Sequence, residues 1–223
     1  MEYSRVLSRT SPAVSLAAGE LGETMATKYL DLTFTESVQR AQTQYYGRAG
    51  KIVGAPDRDL LGQAEAEFIA ARDSFYLGTI SESGWPYIQH RGGPTGFLKL
   101  LNPTTLAFAD YKGNRQLLST GNLSVNDRVS LFLMDYKNRE RLKILGHARV
   151  EDACADPELI AQLIDPKLRP NVERLVFIDV VSFDWNCPKY ITPRYSVAEV
   201  EEIVNPLRTQ IVDLEAQIRT VKT

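Results

Sequence analysis

The chain has 223 residues, of which 43% are hydrophobic and 24% charged. That is enough apolar material for a core, and it excludes a wholly disordered chain. With 26 basic and 28 acidic side chains the formal net charge is −2, which argues against binding nucleic acid through bulk positive charge.

Two cysteines, Cys154 and Cys187, form no C-x-x-C pair. They read as free thiols of a protein in the reducing cytoplasm. Two histidines, His90 and His147, give no zinc-site spacing, so no metal is expected. No apolar run approaches the ~20 residues of a membrane-spanning helix, and no membrane partner is expected.

Residues 1–27 are rich in Ser, Thr, Ala and Gly without a period, and read as a mobile N-terminal extension. Met25 is a candidate natural start. Thr35 and Glu36 open a helical segment that Gly47 stops. A second helix is expected over 59–72. Leu61, Ala64, Phe68 and Ala71 share its apolar face, and Asp57 or Asp59 is its candidate N-cap.

From residue 74 the pattern changes to short strands. Residues 74–80 and 85–91, joined by the turn SESG, predict a hairpin. Further strands are expected over 97–101, 105–110, 127–135, 141–151 and 172–183. Short helical stretches at 114–123 and 156–164 interrupt them. Strands at this spacing indicate a mostly antiparallel β fold with flanking helices, not the alternation of a dinucleotide-binding fold.

The last 27 residues return to helix. Val200, Val204, Leu207, Ile211, Leu214, Ile218 and Val221 are spaced 4, 3, 4, 3, 4, 3, a heptad seam. The seam suits packing on its own domain or pairing with a partner chain. Pro206 is expected to kink this helix or begin a new one.

Three polar clusters lie at strand ends. In WPYIQHRGGP (85–94), alternation puts Tyr87, Gln89 and Arg91 on one face and Ile88 and His90 on the other. Arg91 there meets either an anion or a salt-bridge partner at the rim. In ADYKGNRQLLSTGNL (109–123), Asn114, Arg115 and Gln116 open the expected helix, with Lys112 nearby. That arrangement suits a phosphate, or Asn114 simply caps the helix. In FDWNCPKYITPRY (183–195), Trp185, Tyr190 and Tyr195 alternate with Asn186, Lys189 and Arg194. Cys187 has no visible histidine partner and reads as structural.

Taken together, FIAARDSFYLGTISESGWPYIQHRGGPTGFLKLL, TLAFADYKGNRQLLSTGNLSVNDRVSLFLMDY, RLKILGHARV and WNCPKYITPR resemble the pyridoxamine 5′-phosphate oxidase-related FMN-binding proteins. The resemblance covers residues 60–195. It implies a split β-barrel of the FMN-binding type, carrying here an added C-terminal helix. It implies a homodimer with FMN at the interface, and redox of a small-molecule substrate by hydride transfer at flavin N5. The flavin carries the chemistry, so no catalytic side chain is named.

By the same resemblance Arg91, Asn114, Arg115 and Gln116 hold the FMN phosphate. Gly92, Gly93 and Pro94 lie along the ring, with Gln89 and His90 beside it and Asn122 near the cofactor. Asn186, Lys189 and Tyr190 reach the flavin from the partner chain. The family's oxidases carry a late arginine-histidine segment that grips substrate phosphate. NCPKYITPR has no histidine, and Gln116 stands where they have lysine. Vitamin B6 oxidation is therefore not the expected reaction. A flavin-binding module without turnover is the alternative, as is a split barrel holding the deazaflavin F420 or haem. The expected domains are 1–27, the barrel with its leading helices over 28–195, and the helix 196–223.

Overall fold

The computed structural model describes residues 28–113, 115–153, 157–185 and 189–221. The extension 1–27, with Met25, lies outside them, as do Asn114, Cys154, Asn186 and Cys187. The chain divides into two compact units. One holds the described residues up to 134 and those from 141 to 185. The other holds 135–140 and 189–221.

Three helices lead, α1 (Lys28–Thr33), α2 (Glu36–Tyr46) and α3 (Gln63–Ala70). Then come β1 (Ser74–Ile80), β2 (Pro86–Gly92), β3 (Lys99–Asn102) and β4 (Thr105–Tyr111). Helix α4 (Leu118–Leu123) precedes β5 (Arg128–Asp135) and β6 (Glu140–Asp152). Helix α5 (Pro157–Leu163), a 3-10 turn at Arg169–Asn171, β7 (Val172–Trp185) and α6 (Val197–Val221) complete the order.

The seven strands form one sheet in the order β2-β1-β5-β6-β7-β4-β3. Its described pairings are antiparallel. The sheet curls on itself: β2 and β4 stand five places apart in the order, yet Arg91 and Asp110 meet at 2.6 Å. The fold is the mostly antiparallel, helix-flanked β architecture expected from the strand pattern.

Period-two patterning fills the interior. Phe75 and Leu77 of β1, Leu131 and Leu133 of β5, and Leu142 and Ile144 of β6 are buried together. Each such side chain contributes about 1.5–3 kcal/mol by leaving water. Strand β4 is buried on both faces. Leu106 and Phe108 enter the main core, while Ala107 and Ala109 face a second cluster with Ile164, Leu175 and Phe177. Leu159, Ile160 and Leu163 of α5 pack against that cluster. Small residues on this face let α5 approach the sheet. Gly146 stands at a register shift between β6 and β7, where a Cβ would lie 2.5 Å from the Asp179 carbonyl oxygen.

Several local expectations need correction. Helix α3 starts at Gln63, not near 59, because Asp59 and Leu61 donate their N–H groups to Val181 and Pro103 across the chain. Its start is tied instead by Glu65, whose carboxylate accepts the Gly62 N–H at 2.9 Å. Strand β3 begins at Lys99 because Phe97 closes a turn onto the Pro94 carbonyl. Helix α4 begins only at Leu118, since Leu117 sits at φ 55 in the left-handed region and interrupts the helix. Helix α6 runs unbroken through Pro206. Among the described residues no helix is long and apolar enough to cross a membrane.

Candidate functional site

Alternation along β2 leaves Tyr87, Gln89 and Arg91 half-buried and Ile88 and His90 exposed. The inward side chains line a cavity of about 200 Å³. Its other walls come from the end of β4, the turn before α4 and the start of β7. Phe97 and Phe108 close one side.

Arginines and carboxylates organise the cavity. Arg91 donates from Nη1 to Asp110 Oδ1 at 2.6 Å. Arg174 donates from Nε to Asp110 Oδ2 at 2.9 Å and from Nη2 to Glu173 Oε2 at 3.0 Å. The β4–β7 register places Asp110 opposite Arg174. Asp110 is buried, so its charge would be costly without both guanidiniums. Burial opposes the Arg174 charge, but the hydrogen bonds and charges of Asp110 and Glu173 outweigh it and raise its pKa. The Arg91 guanidinium lies 5.6 Å from the Phe108 ring centre, and its buried Nε has no hydrogen-bond partner among the described residues.

Gln89 is oriented by Ser119 Oγ, which donates to its Oε1 at 2.7 Å. Asn122 Nδ2 donates to the buried Thr79 Oγ1 at 2.9 Å, tying α4 to β1. A second cavity of about 220 Å³ shares Phe97, Phe108, Ala109 and Tyr111 with the first. There burial, and secondarily the Asp165 charge, raise the Tyr111 pKa.

Residues 61–169 match the family model described as pyridoxamine 5′-phosphate oxidase. That segment, 109 of the 223 residues, is similar to the pyridoxamine 5′-phosphate oxidase-related family. The seven-stranded, mostly antiparallel sheet agrees with the split β-barrel that this similarity implies. No curated protein matches the chain. Solved structures similar to it include HupZ of Group A Streptococcus, 11% identical, with a TM-score of 0.43 over 60% of this chain and 100% of that one. A relative of general stress protein 26, of the pyridoxinephosphate oxidase family from Clostridium acetobutylicum, is 14% identical. Its TM-score is 0.43 over 60% of this chain and 92% of that one. The heme storage protein HutZ of Vibrio cholerae is 18% identical, with a TM-score of 0.39 over 56% and 94%.

The structure brings Gln89, His90, Arg91, Gly92 and Gln116 to the cavity wall. His90 borders it, but the imidazole ring lies edge-on to Tyr76 at 5.7 Å. Arg115 stands in a turn, 78% exposed and 3.9 Å from Glu173, beside the lining rather than in it. Arg115 and Gln116, expected to open a helix, stand in that turn instead, and α4 begins after them at Leu118. Asn122 is a tether and is not among the lining residues. Gly93 adjoins the site because a Cβ there would lie 2.6 Å from the Phe97 ring. Lys189 and Tyr190 belong to the second compact unit and are exposed.

Sequence reasoning missed Asp110 and Arg174 as site residues. Their signal is a charge beside apolar strand residues, Asp110 in TLAFADY and Arg174 in VERLVFIDVV. Such a charge asks for a partner, which only strand pairing identifies.

Proposed function

We propose that this chain is an FMN-dependent oxidoreductase that acts on a small molecule and works as a homodimer. The observation that carries it is the cluster of guanidiniums at and beside the cavity. Arg91 and Arg174 in the wall are balanced by Asp110 and Glu173, and Arg115 beside the wall brings the set to 3 − 2 = +1. The unpartnered Arg91 Nε adds a buried donor. This donor set fits a phosphate dianion, which guanidinium groups bind by charge-assisted hydrogen bonds.

The remaining residues fit the rest of the cofactor. Gln89, held by Ser119, presents an amide of fixed orientation to a polar edge. Gly92 lets a flat ring approach the backbone, and Phe97 and Phe108 keep water from that side. FMN, when bound, supplies hydride transfer at its N5. The cavity of about 200 Å³ falls short of the ~300–1,000 Å³ usual for cofactor sites, so a second copy is assigned the remainder.

The test begins with the visible spectrum of the purified protein and chromatography of whatever heat releases. A flavin spectrum with FMN released is expected. A colourless protein that takes up no added FMN overturns the proposal. Arg115→Ala removes an exposed side chain, so folding is preserved. Its loss is expected to weaken FMN binding roughly 10- to 100-fold, from ~1.5–3 kcal/mol for a hydrogen bond to a charged group. An unchanged Kd removes Arg115 from the phosphate site.

A further inference from the structure

Helix α6 carries an ordered apolar seam. In heptad terms Val197, Val204, Ile211 and Ile218 occupy the a positions, and Val200, Leu207 and Leu214 the d positions. The a residues are all β-branched, and the central d residues are both leucine. This division is typical of two-stranded coiled coils. Leu207, Ile211, Leu214 and Ile218 are between 49% and 55% exposed. Pro206, which would disturb a packed face, falls at position c, away from the seam.

We infer that α6 pairs antiparallel with α6 of a second copy of this chain. The charges beside the seam select both the occupant and the direction. The e positions carry Glu201, Arg208 and Glu215, alternating in sign, while the g positions Ile203, Gln210 and Gln217 are uncharged. Charges at e and g set partner and orientation in such pairs.

In a parallel pair each e residue faces an uncharged g residue, and the alternation does nothing. In an antiparallel pair e faces e. With Ile211 layered on Leu214 of the other copy, and Leu207 on Ile218, Arg208 of each copy faces Glu215 of the other. Two opposite-charge pairs then flank the four largest seam residues. Full overlap, with Leu207 on Ile211, would instead set Arg208 against its own copy. Like charges reject that register, and the heptad shift follows. Among the described residues Glu215 makes a loose, exposed ion pair with Arg219 at 3.7 Å, weak enough for Glu215 to turn to a partner.

Disulfide trapping in the full chain tests this directly and does not depend on the cofactor. Cys154→Ser and Cys187→Ser remove the native thiols. Leu207→Cys or Ile218→Cys is then added singly, at exposed positions that the fold does not need. Co-expressed, the two chains are expected to join by a disulfide on mild oxidation, while neither joins to itself. A disulfide between two Leu207→Cys chains would mean a parallel pair and overturn the inference. So would the absence of any disulfide in the mixture.

Hydrogen exchange over 204–218 gives a second readout with native cysteines in place. Arg208→Glu is expected to raise exchange there, and Arg208→Glu with Glu215→Arg to restore protection. Equal exchange in all three proteins rejects the pairing, whatever flavin the barrel binds.

Discussion

Asp110→Asn isolates the electrostatics of the cavity. The substitution keeps the size of the side chain and one acceptor oxygen, but removes the negative charge between two guanidiniums. Arg91 is 14% exposed, Arg174 22% and Asp110 11%, so water screens the loss poorly. Removing one partner of a buried ion pair costs about 3–5 kcal/mol. Arg174 keeps Glu173 at 3.0 Å and the cavity opens to solvent, so a loss of about 2–3 kcal/mol is expected.

The same change raises the cationic surplus from 3 − 2 to 3 − 1. An anion should therefore stabilise the variant more than the parent. A ligand at a hundred times its Kd adds about 2.7 kcal/mol, enough to offset the substitution. Urea unfolding, followed by tryptophan fluorescence with and without inorganic phosphate, measures both effects. The midpoint should fall without phosphate and recover with it. A variant that unfolds at the parent's midpoint, with an equal phosphate effect in both proteins, would refute the assignment of Asp110 as the charge that limits anion binding.

Two further outcomes follow from polar contacts away from the cavity. Glu65 is buried, accepting the Trp185 indole N–H at 2.6 Å and the Gly62 N–H at 2.9 Å. Glu65→Ala should cost about 2–4 kcal/mol, from a lost helix cap and an unsatisfied indole donor, and should shift Trp185 emission. An unshifted spectrum with unchanged stability would contradict it. At the start of α6, Glu199 accepts from the Ser196 N–H at 2.8 Å and hydroxyl at 2.9 Å. These bonds to Ser196, backbone first, lower its pKa, with Lys137 adding to the effect. A lowered folded-state pKa means stabilisation present above the ordinary glutamate range and lost as pH falls through the folded value. Acid should therefore fray the first turn of α6, and Glu199→Gln should remove this pH dependence. Circular dichroism of parent and variant through the acid range would expose an identical response, which would count against the capping bond.

Much of the fold was legible because its signals are local. Thr35 and Gly47 bound α2 as expected: the threonine hydroxyl accepts the Val38 N–H, and the glycine takes the left-handed conformation at φ 74. Alternation in β2 gave the correct inward set of Tyr87, Gln89 and Arg91. The errors arose where distant segments compete with local preference. Asp59, a plausible cap in sequence, is held in extended chain by Val181 and by Phe183, whose N–H it accepts. Leu117 has nothing in its residue type to announce a positive φ, and it delays α4 past Arg115 and Gln116.

The sequence by itself determined the strand and helix types, the arginine-bearing strand end at Arg91 and the seam of α6. Each rests on periodicity or on a cap within a few residues. Only the tertiary structure decided how the charges combine. Arg91, Asp110 and Arg174 lie 19 and 64 residues apart along the chain. They meet because the sheet curls and the β4–β7 register sets Asp110 opposite Arg174. No local signal carries that information, because an ion pair depends on distance in space and strand order alone brings these three residues together.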